Sequence, residues 1–461
     1  MPTELLASDF PLKEVMTTIK KLAIRGTVWT IASYGTSQFL RLGSNLILSR
    51  LLFPELFGLM ALVNIFISGL HLFSDIGLGP NIIQSKRGDD PVFLNTAWTL
   101  QVLRSIGIWF LCVLITLPVA NLYNNPQLLW LIPLVGLNTI IAGFSSTAIY
   151  TLNRHMAIKQ VVIFELGGQI ISLAVMLIWA WFSPTIWALV VGGLTSAVVQ
   201  MVWSHNLIPG TSNRFTWNQE ARKEIFSFGK WIFFSTVITF FAEQADRLIL
   251  GKLIPLDVLG VYGIAFVLAD IPRMVILAIS SKVIFPAFSK LTDLPRETLL
   301  AKILRNRKPF LVILAVGLTV LVSFGDILIS TLYDHRYAQA AWMLPILALG
   351  IWPRVLTQSI DQCLFAIGKP CYPAYGSLFK FLFVVIGLPV GFSLMGLAGA
   401  VIVVALNDLP FYGAITYGLW RERLVVIGQD TKATALLLVL LTVMLTARTV
   451  SGFGLPIDGL F

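Results

Sequence analysis

Long apolar runs separated by short polar segments dominate this chain of 461 residues. Most runs extend for about 20 residues, the length an α-helix needs to cross the ~30 Å hydrocarbon core of a bilayer. The sequence lacks the ten-residue segments of alternating polarity that indicate a membrane β-barrel, so the runs predict helices. We place twelve core transmembrane spans and a thirteenth near residues 27–49, 57–79, 97–117, 128–150, 160–182, 185–206, 229–250, 257–281, 309–331, 341–363, 374–393, 396–418 and 433–453.

Composition agrees with a membrane protein, since 57% of the residues are hydrophobic and only 12% are charged. The formal net charge of +10 does not indicate nucleic-acid binding, because the basic residues lie in loops and form no nucleic-acid-binding motif. Three cysteines fall in or beside apolar segments without the spacing of metal ligands or of a disulfide framework. We therefore expect no metal and no cofactor.

The basic residues predict an orientation for the spans. With the N-terminus placed in the cytoplasm, nearly all Lys and Arg residues of the loops fall on the cytoplasmic side, as the positive-inside rule requires. The outer side receives only Arg50, Lys252, Arg336 and, with a thirteenth span, Arg448. No cleavable signal peptide is visible, so we expect the N-terminus to be retained.

An offset of 202 residues, the spacing from Trp29 to Trp231, reveals an internal repeat. In the same register, basic residues 50 and 252, acidic residues 55 and 257, and glycines 58 and 260 coincide. Six spans separate the two copies, and because this number is even, both enter the membrane in the same orientation. The sequence thus predicts an all-α polytopic protein of two parallel-repeat six-helix bundles around a central cavity.

The predicted organisation has five parts. They are a cytoplasmic amphipathic N-terminal segment (1–26), an N-lobe with spans one to six (27–206), a cytoplasmic linker (207–228), a C-lobe with spans seven to twelve (229–418) and a C-terminal segment with the thirteenth span (419–461). The amphipathic loop 283–308 is expected to run along the membrane surface.

Several short motifs resemble those of the polysaccharide transporters in the multidrug/oligosaccharidyl-lipid/polysaccharide flippase superfamily. They are Arg50-Leu-Leu-Phe-Pro-Glu-Leu-Phe-Gly58, Asp75-Ile-Gly-Leu-Gly79, Gln84, Asp246-Arg-Leu-Ile-Leu-Gly251, Leu259-Gly-Val-Tyr262, Phe285-Pro-Ala-Phe288 and the Gly-Lys-Pro turn at 368–370. The resemblance implies a Wzx-like flippase in the bacterial inner membrane. Its cargo would be an undecaprenyl-pyrophosphate-linked oligosaccharide or polysaccharide repeat unit, moved from the cytoplasmic to the outer leaflet by alternating access.

Ionisable residues inside predicted spans are functional candidates, because each is costly in the membrane unless it is paired or faces water. They are Arg41, Asp75, Arg104, Glu165, Glu243, Asp246, Arg247, Asp270, Arg273, Arg354, Asp361, Lys380 and Asp408. A diphosphate needs fixed cations, for which the planar guanidinium is well suited. Arg41 and Arg273 lie on helices that line the lobe interface in the family that the motifs resemble. We select these two first for binding pyrophosphate, followed by Arg104, Arg354 and Lys380.

Two alternatives bear on these residues. Arg273 can instead pair with Asp270, three residues away on the same helical face, and this is as plausible as cargo binding. Glu243, which repeats the position of Arg41, and Asp361 could exchange H⁺ or Na⁺ during transport. Prolines favour helix bends inside the spans at positions 272, 345, 353, 389 and 410.

Two other functions compete with the flippase. A drug/cation antiporter of the sister family would favour an acidic cavity, whereas several cations lie within these spans. A membrane glycan polymerase or ligase would need a developed outer loop with acid/base residues, and the outer loops are short. We therefore predict no enzymatic activity. The expected partners are the lipid-linked glycan, the bilayer and membrane-bound glycan polymerases or glycosyltransferases. We expect no nucleic-acid partner, and a monomer.

Overall fold

The computed structural model describes residues 12–74, 77–155, 157–209, 213–280 and 295–460. These ranges are almost entirely helical and contain no β-strand, which confirms the all-α class. The α-helices are α1 (Leu12–Leu51), α2 (Pro54–Phe73), α3 (Leu78–Gln84), α4 (Pro91–Tyr123), α5 (Leu128–Gly143), α6 (Ala148–Arg154), α7 (Ile158–Phe182), α8 (Trp187–Ser204), α9 (Gln219–Leu253), α10 (Leu256–Ala269), α11 (Ile271–Ile279), α12 (Arg296–Leu332), α13 (Ala340–Gly350), α14 (Trp352–Gln358), α15 (Asp361–Ala366), α16 (Cys371–Leu406), α17 (Leu409–Arg421) and α18 (Ile427–Val450).

Within the described ranges, eight helical stretches are long and apolar enough to cross a membrane. The number rises to ten when the pair α5 and α6, bent by 59°, and the pair α10 and α11, bent by 46°, each count as one span. Helix α18 is one of the eight and coincides with the thirteenth predicted span. The protein is thus a multi-span membrane protein, while the arrangement of twelve core spans plus one, in two repeated bundles, stays a prediction.

A sharp break interrupts α16 where the sequence predicts the boundary between spans 374–393 and 396–418. Met395 leaves the helical conformation, and Gly396 has a φ of 58°. This left-handed conformation suits glycine because it has no Cβ to clash with the backbone. The break therefore divides α16 between two predicted spans.

The helices group into two compact units, which interleave along the sequence. The first unit comprises Met1–Leu48, Asp75–Val113 and Pro133–Ile232, and the second comprises Ser49–Ser74, Leu114–Ile132 and Phe233–Phe461. The predicted lobe boundaries stay a prediction.

In the first unit, part of the core forms where α3, α4 and the start of α9 pack together. Leu78, Ile82, Phe93, Leu100 and Ile225 are among its buried side chains. Helices α7 and α8 also pack closely in this unit. Apolar contact between these helix faces holds the unit together.

In the second unit, α2 and α10 cross at two glycines that the internal repeat pairs. A methyl group on Gly58 would collide with the carbonyl of Leu256, and one on Gly260 would collide with the carbonyl of Pro54. Small residues allow backbones to approach this closely in membrane helices. Substituting either glycine is therefore expected to separate the two helices.

Some predicted features lie outside the described residues. These are positions 1–11 and the side chains of 12–28 in the N-terminal segment, residues 75–76 of the Asp75 motif, 210–212 in the linker, and 283–294 of the surface loop with its Phe285–Phe288 motif. The rest of that loop is helical, since residues 296–308 are the first turns of α12, and its course along the membrane surface stays a prediction. Leu299 and Ile303 are buried in the core of the second unit with Phe411 and Leu424.

Candidate functional site

Three helix breaks in the second unit lie inside predicted spans, and two of them carry an aspartate. Asp270 lies between α10 and α11, Ile351 between α13 and α14, and Asp408 between α16 and α17. A proline follows each break by two residues and occupies the first turn of the next helix, where its missing N–H leaves no helical hydrogen bond unmade. Broken helices of this kind form substrate and ion sites in many transporters.

Beside these breaks, three basic side chains converge on the carboxylate of Glu243 in α9. One oxygen, Oε1, lies 3.4 Å from an Arg354 guanidinium nitrogen and 3.6 Å from Lys380 Nζ. The other, Oε2, lies 3.7 Å from an Arg273 guanidinium nitrogen. Glu243 is thus held by three ion pairs, each longer than the ~2.8 Å of a tight charge-assisted hydrogen bond.

Two of the three cations have a second and closer carboxylate. Arg273 binds Asp270 through two nitrogens, at 2.5 and 2.7 Å, and Lys380 Nζ lies 2.9 Å from Asp408. Asp270, Asp408 and Lys380 are buried, so solvent and salt screen these ion pairs only weakly. We name Glu243, Arg273, Arg354, Lys380, Asp270 and Asp408 the Glu243 cluster. Its formal charges sum to zero, with three cations and three anions.

Arg354 differs from the other two cations because part of its hydrogen-bonding capacity is unused. Its Nε and one terminal nitrogen are buried without a hydrogen-bond partner, while the guanidinium lies 4.2 Å from the ring centre of Phe411. Buried donors are normally paired, since an unmade hydrogen bond leaves their desolvation uncompensated. Arg354 therefore has donors available for an anionic ligand.

Asp361 is buried at the start of α15, close in sequence to Arg354. Its recorded side-chain hydrogen bond is a long one of 3.4 Å from the amide of Gln362. No cation lies within 4.0 Å of its carboxylate in the described part of the chain. Its surroundings thus differ from those of Glu243, which has three such neighbours.

The structure assembles three of the five residues predicted to bind pyrophosphate. Arg273, Arg354 and Lys380 share the Glu243 cluster, and the predicted alternative of an Asp270 pair with Arg273 is present in it. Arg41 and Arg104 belong to the first unit, where Arg41 is exposed on α1 and Arg104 is half-buried on α4. The binding role of all five stays a prediction.

Sequence reasoning missed a second kind of buried charge. Arg307, which falls in the predicted surface loop 283–308, is 2% exposed and lies 2.5 Å from Asp430 at the start of α18. Its remaining nitrogens bond Ser359 and the carbonyl of Leu356. The only sequence feature that indicates Arg307 is a basic residue at the edge of an apolar run. An ordinary loop cation has the same feature, so the sequence does not distinguish the two.

Arg448 and Asp326 form a similar pair near the opposite ends of the same two helices. The guanidinium of Arg448 bonds both oxygens of Asp326 and the carbonyl of Ser323, and its Nε donates to Gly454 at 2.9 Å. The two pairs join α12 to α18 and lie 18 or 19 residues apart, about 28 Å along a helix. They have the geometry of structural clamps.

Other intramembrane charges also have local partners. Asp246 accepts a hydrogen bond of 2.5 Å from the buried hydroxyl of Tyr262, and the guanidinium of Arg247 lies 4.9 Å from the ring centre of Phe266. These contacts are sufficient to give both residues a structural role within the second unit.

Outside the membrane spans, Arg336 connects two parts of the second unit. It pairs with Asp334 and donates to the backbone carbonyls of Ser49, Arg50 and Leu52 at the end of α1. The hydrogen bonds from Arg336 lower the pKa of Asp334. This arrangement fixes the end of α1 to the segment between α12 and α13.

A multi-span helical protein with broken helices and a buried ion cluster has the features of a membrane transporter. The family model described as "Polysaccharide biosynthesis protein" matches residues 47–345. Because this match covers more than half of the chain, the protein belongs to that family. The finding confirms the family resemblance and the class predicted from sequence, a membrane protein of polysaccharide biosynthesis rather than an enzyme.

Curated relatives carry related names. The teichuronic acid biosynthesis protein TuaB of Bacillus subtilis (strain 168) is 23% identical over 64% of this chain and 61% of its own length. The lipopolysaccharide biosynthesis protein WzxC of Escherichia coli (strain K12) is 22% identical over 60% of this chain and 56% of its own length. The succinoglycan biosynthesis transport protein ExoT of Rhizobium meliloti (strain 1021) is 20% identical over 72% of this chain and 66% of its own length. The chain thus matches less than two thirds of the length of each of these three relatives.

Solved structures share the fold at low sequence identity. A lipid II flippase MurJ in an inward closed conformation aligns with a TM-score of 0.69 and 15% identity, covering 90% of this chain and 92% of its own. An inward-facing multidrug resistance MATE family transporter of the MOP superfamily aligns with a TM-score of 0.66 and 12% identity, covering 86% of this chain and 96% of its own. The likeness to these two proteins identifies the fold.

Proposed function

We propose that the protein is a flippase for a lipid-linked glycan in the bacterial plasma membrane. The cargo is an undecaprenyl-pyrophosphate-linked oligosaccharide or polysaccharide repeat unit, which moves from the cytoplasmic to the outer leaflet. The observation that carries this proposal is the convergence of Arg273, Arg354 and Lys380 on Glu243, with two donors of Arg354 left unpaired. Family membership supports the same class of cargo.

In this proposal the carboxylate of Glu243 occupies the binding site of the cargo's diphosphate when no cargo is bound. Its long contacts to three cations are weaker than tight ion pairs, so an anion of higher charge can compete for them. Asp270 and Asp408 keep Arg273 and Lys380 oriented while the exchange takes place. The two free donors of Arg354 then bind phosphate oxygens that Glu243 does not reach.

Arg41 and Arg104 take part at another stage of the proposed cycle. The exposed guanidinium of Arg41 is available to an anion, and no ion pair to it occurs within the described ranges. We propose that two six-helix lobes, with a thirteenth helix added, alternate access to the cargo across the membrane. The N-terminus lies in the cytoplasm, as the distribution of basic residues indicates.

Asp361 is the stronger of the two candidates for ion coupling. A buried carboxylate that forms no ion pair is costly when charged, and binding of H⁺ or Na⁺ removes that cost. Glu243 is already neutralised by its three basic neighbours. We therefore propose that Asp361 exchanges the coupling ion, while Glu243 competes with the cargo.

Complementation of a strain that lacks the protein tests the proposed function. Without it, the lipid-linked glycan is expected to accumulate and the surface polysaccharide to be lost. Wild-type protein restores export, whereas Arg273→Ala, Arg354→Ala or Arg41→Ala does not, although each variant still inserts in the membrane. A Lys substitution at these positions is expected to restore export only partly, because it keeps the charge and loses the planar guanidinium.

Arg421→Ala is the matched control, since Arg421 is exposed at the end of α17 and has no place in the cluster. Its membrane level and export are expected to equal those of the wild type. Normal surface polysaccharide in all three cluster and α1 variants would contradict the proposal. So would a deletion strain in which no lipid-linked intermediate accumulates.

A further inference from the structure

A groove with a basic rim lies between α12 and α18 in the second unit, apart from the Glu243 cluster. It encloses a cavity of about 570 Å³. Arg305 and Lys308 on α12 and Lys432 on α18 provide its charges. Leu311 and Val312 on α12 and Leu436 on α18 provide an apolar floor. The groove thus combines positive charge at one end with an apolar surface at the other.

The three cations of this groove are unpaired among the described residues. All three side chains are exposed, and within the described ranges none forms an ion pair with a carboxylate. The residues that line the groove include neither Asp nor Glu. The positive charge of the groove is therefore uncompensated by the residues that the structure describes, and it is available to an anion.

Partly buried hydrogen bonds fix the two walls of the groove. Gln429 donates to the carbonyl of Leu304 at 2.7 Å, and its side-chain oxygen accepts from Arg307 at 3.3 Å. The Arg307 pair with Asp430 lies behind them and is almost completely buried. The groove is therefore preformed by side chains that do not themselves depend on a ligand.

The groove lies at a membrane interface. Lys308 and Lys432 each come just before the apolar stretch of a candidate span, Arg296–Leu332 and Ile427–Val450. The basic rim thus lies at headgroup level, and the apolar floor extends towards the hydrocarbon. On the predicted orientation this is the cytoplasmic side, where anionic lipids attract clusters of Lys and Arg.

We propose that this groove binds an anionic phospholipid of the surrounding bilayer. The phosphodiester group lies against Arg305, Lys308 and Lys432, and the first part of an acyl chain contacts the floor at Val312 and Leu436. A headgroup phosphate is an anion that matches three unpaired cations, and the attached chain matches the apolar surface below them. The bound lipid joins α18 to α12 at the membrane surface and so adds to the links that the two buried Arg–Asp pairs make between these helices.

Lipid titration of the purified full-length protein tests this site. Delipidated protein in detergent is titrated with phosphatidylglycerol, or with phosphatidylethanolamine of the same acyl chains, and bound lipid is measured by native mass spectrometry. We expect phosphatidylglycerol to bind the wild type at least tenfold more tightly than phosphatidylethanolamine. The pair Lys308→Gln and Lys432→Gln is expected to reduce this preference roughly tenfold, since each surface cation contributes to the binding of anionic lipid.

Two matched variants distinguish binding at the groove from an effect of the protein's overall positive charge. The pair Lys302→Gln and Arg421→Gln removes the same charge from exposed positions that do not line the groove, and it is expected to keep the preference. The pair Lys308→Arg and Lys432→Arg keeps the charge of the groove. It is also expected to keep the preference for phosphatidylglycerol. If the first Gln pair fails to fold, the single Lys432→Gln variant is expected to weaken phosphatidylglycerol binding three- to fivefold.

Three results would overturn the proposal. The first is unchanged phosphatidylglycerol preference in the pair Lys308→Gln and Lys432→Gln, or in the single Lys432→Gln variant. The second is displacement of the lipid by millimolar inorganic phosphate, which would show that a free anion occupies the groove. The third is one-to-one displacement of phosphatidylglycerol by a polyprenyl pyrophosphate, which would assign the groove to the cargo.

Discussion

Two buried charge clusters in the second unit use arginine in opposite ways. Arg307 has every nitrogen engaged, with Asp430, Gln429, Ser359 and the carbonyl of Leu356 as partners. Arg354 has one ion pair, at 3.4 Å, and two buried nitrogens without a partner. The two arginines lie on neighbouring helices of the same unit. The difference in their hydrogen bonding therefore comes from the residues around each guanidinium and not from their location in the fold.

This difference separates a structural charge from a candidate binding charge. A fully bonded arginine has no donor left for a ligand, and removing its partner exposes an uncompensated buried charge. An incompletely bonded arginine reduces stability in the empty protein and gains bonds when an anion arrives. Unused hydrogen-bonding capacity therefore separates the proposed binding arginine from the structural one, whereas burial alone would favour Arg307, the more buried of the two.

Breaking the saturated pair is expected to have the largest effect on stability. Arg307→Met leaves the carboxylate of Asp430 buried without its cation and is expected to lower the free energy of unfolding by about 3–5 kcal/mol. The unfolding temperature of the purified protein in detergent measures this loss. The double variant Arg307→Met and Asp430→Leu is expected to recover most of it. Lys302→Met, at an exposed position of α12, serves as the control.

Neutralising the centre of the Glu243 cluster is expected to have a smaller effect on stability and a clear effect on binding. Glu243→Gln leaves Arg273, Arg354 and Lys380 with two carboxylates, so the cluster gains a net positive charge. We expect inorganic pyrophosphate to bind this variant several-fold more tightly and glycan export to fall, because cargo release is slowed. Weaker pyrophosphate binding than in wild type would contradict the idea that Glu243 holds the place of the diphosphate. Glu297→Gln, an exposed change on α12, is the control.

The pair of Asp334 and Arg336 outside the membrane is expected to show the smallest effect. Since Arg336 lowers the pKa of Asp334, the pair stabilises the fold at pH values above the ordinary Asp pKa of about 3.9. The contribution is lost as the pH falls through the lowered pKa. Asp334→Asn is therefore expected to cost at most about 1 kcal/mol, equally at pH 6 and pH 8. An unfolding temperature that differs between variant and wild type only at pH 8 would contradict this assignment.

The sequence was sufficient for the positions of most helices, because long apolar runs report directly on membrane spans. Even the break at Gly396 falls where two predicted spans meet. The pair of Asp270 and Arg273 was also foreseeable, since residues three apart share a helical face.

The assembled site was not foreseeable in the same way. Glu243 and Arg354 are 111 residues apart, and their contact depends on how α9 packs against α14. For the same reason the sequence predicts Arg307 as a loop cation, although its partner lies 123 residues later. Charge inside a span indicates a candidate residue, but only tertiary packing decides whether its donors are used or free.

Pyrophosphate binding by Arg354 variants tests the central claim most directly. Purified wild-type protein, Arg354→Gln and the exposed control Arg421→Gln are titrated with inorganic pyrophosphate, and unfolding temperatures are recorded for the same samples. We expect Arg354→Gln to bind pyrophosphate at least tenfold more weakly, the loss of one or two charge-assisted hydrogen bonds, while its unfolding temperature stays close to that of wild type. Equal affinity in Arg354→Gln and the wild type would show that the free donors of Arg354 do not bind the cargo's diphosphate.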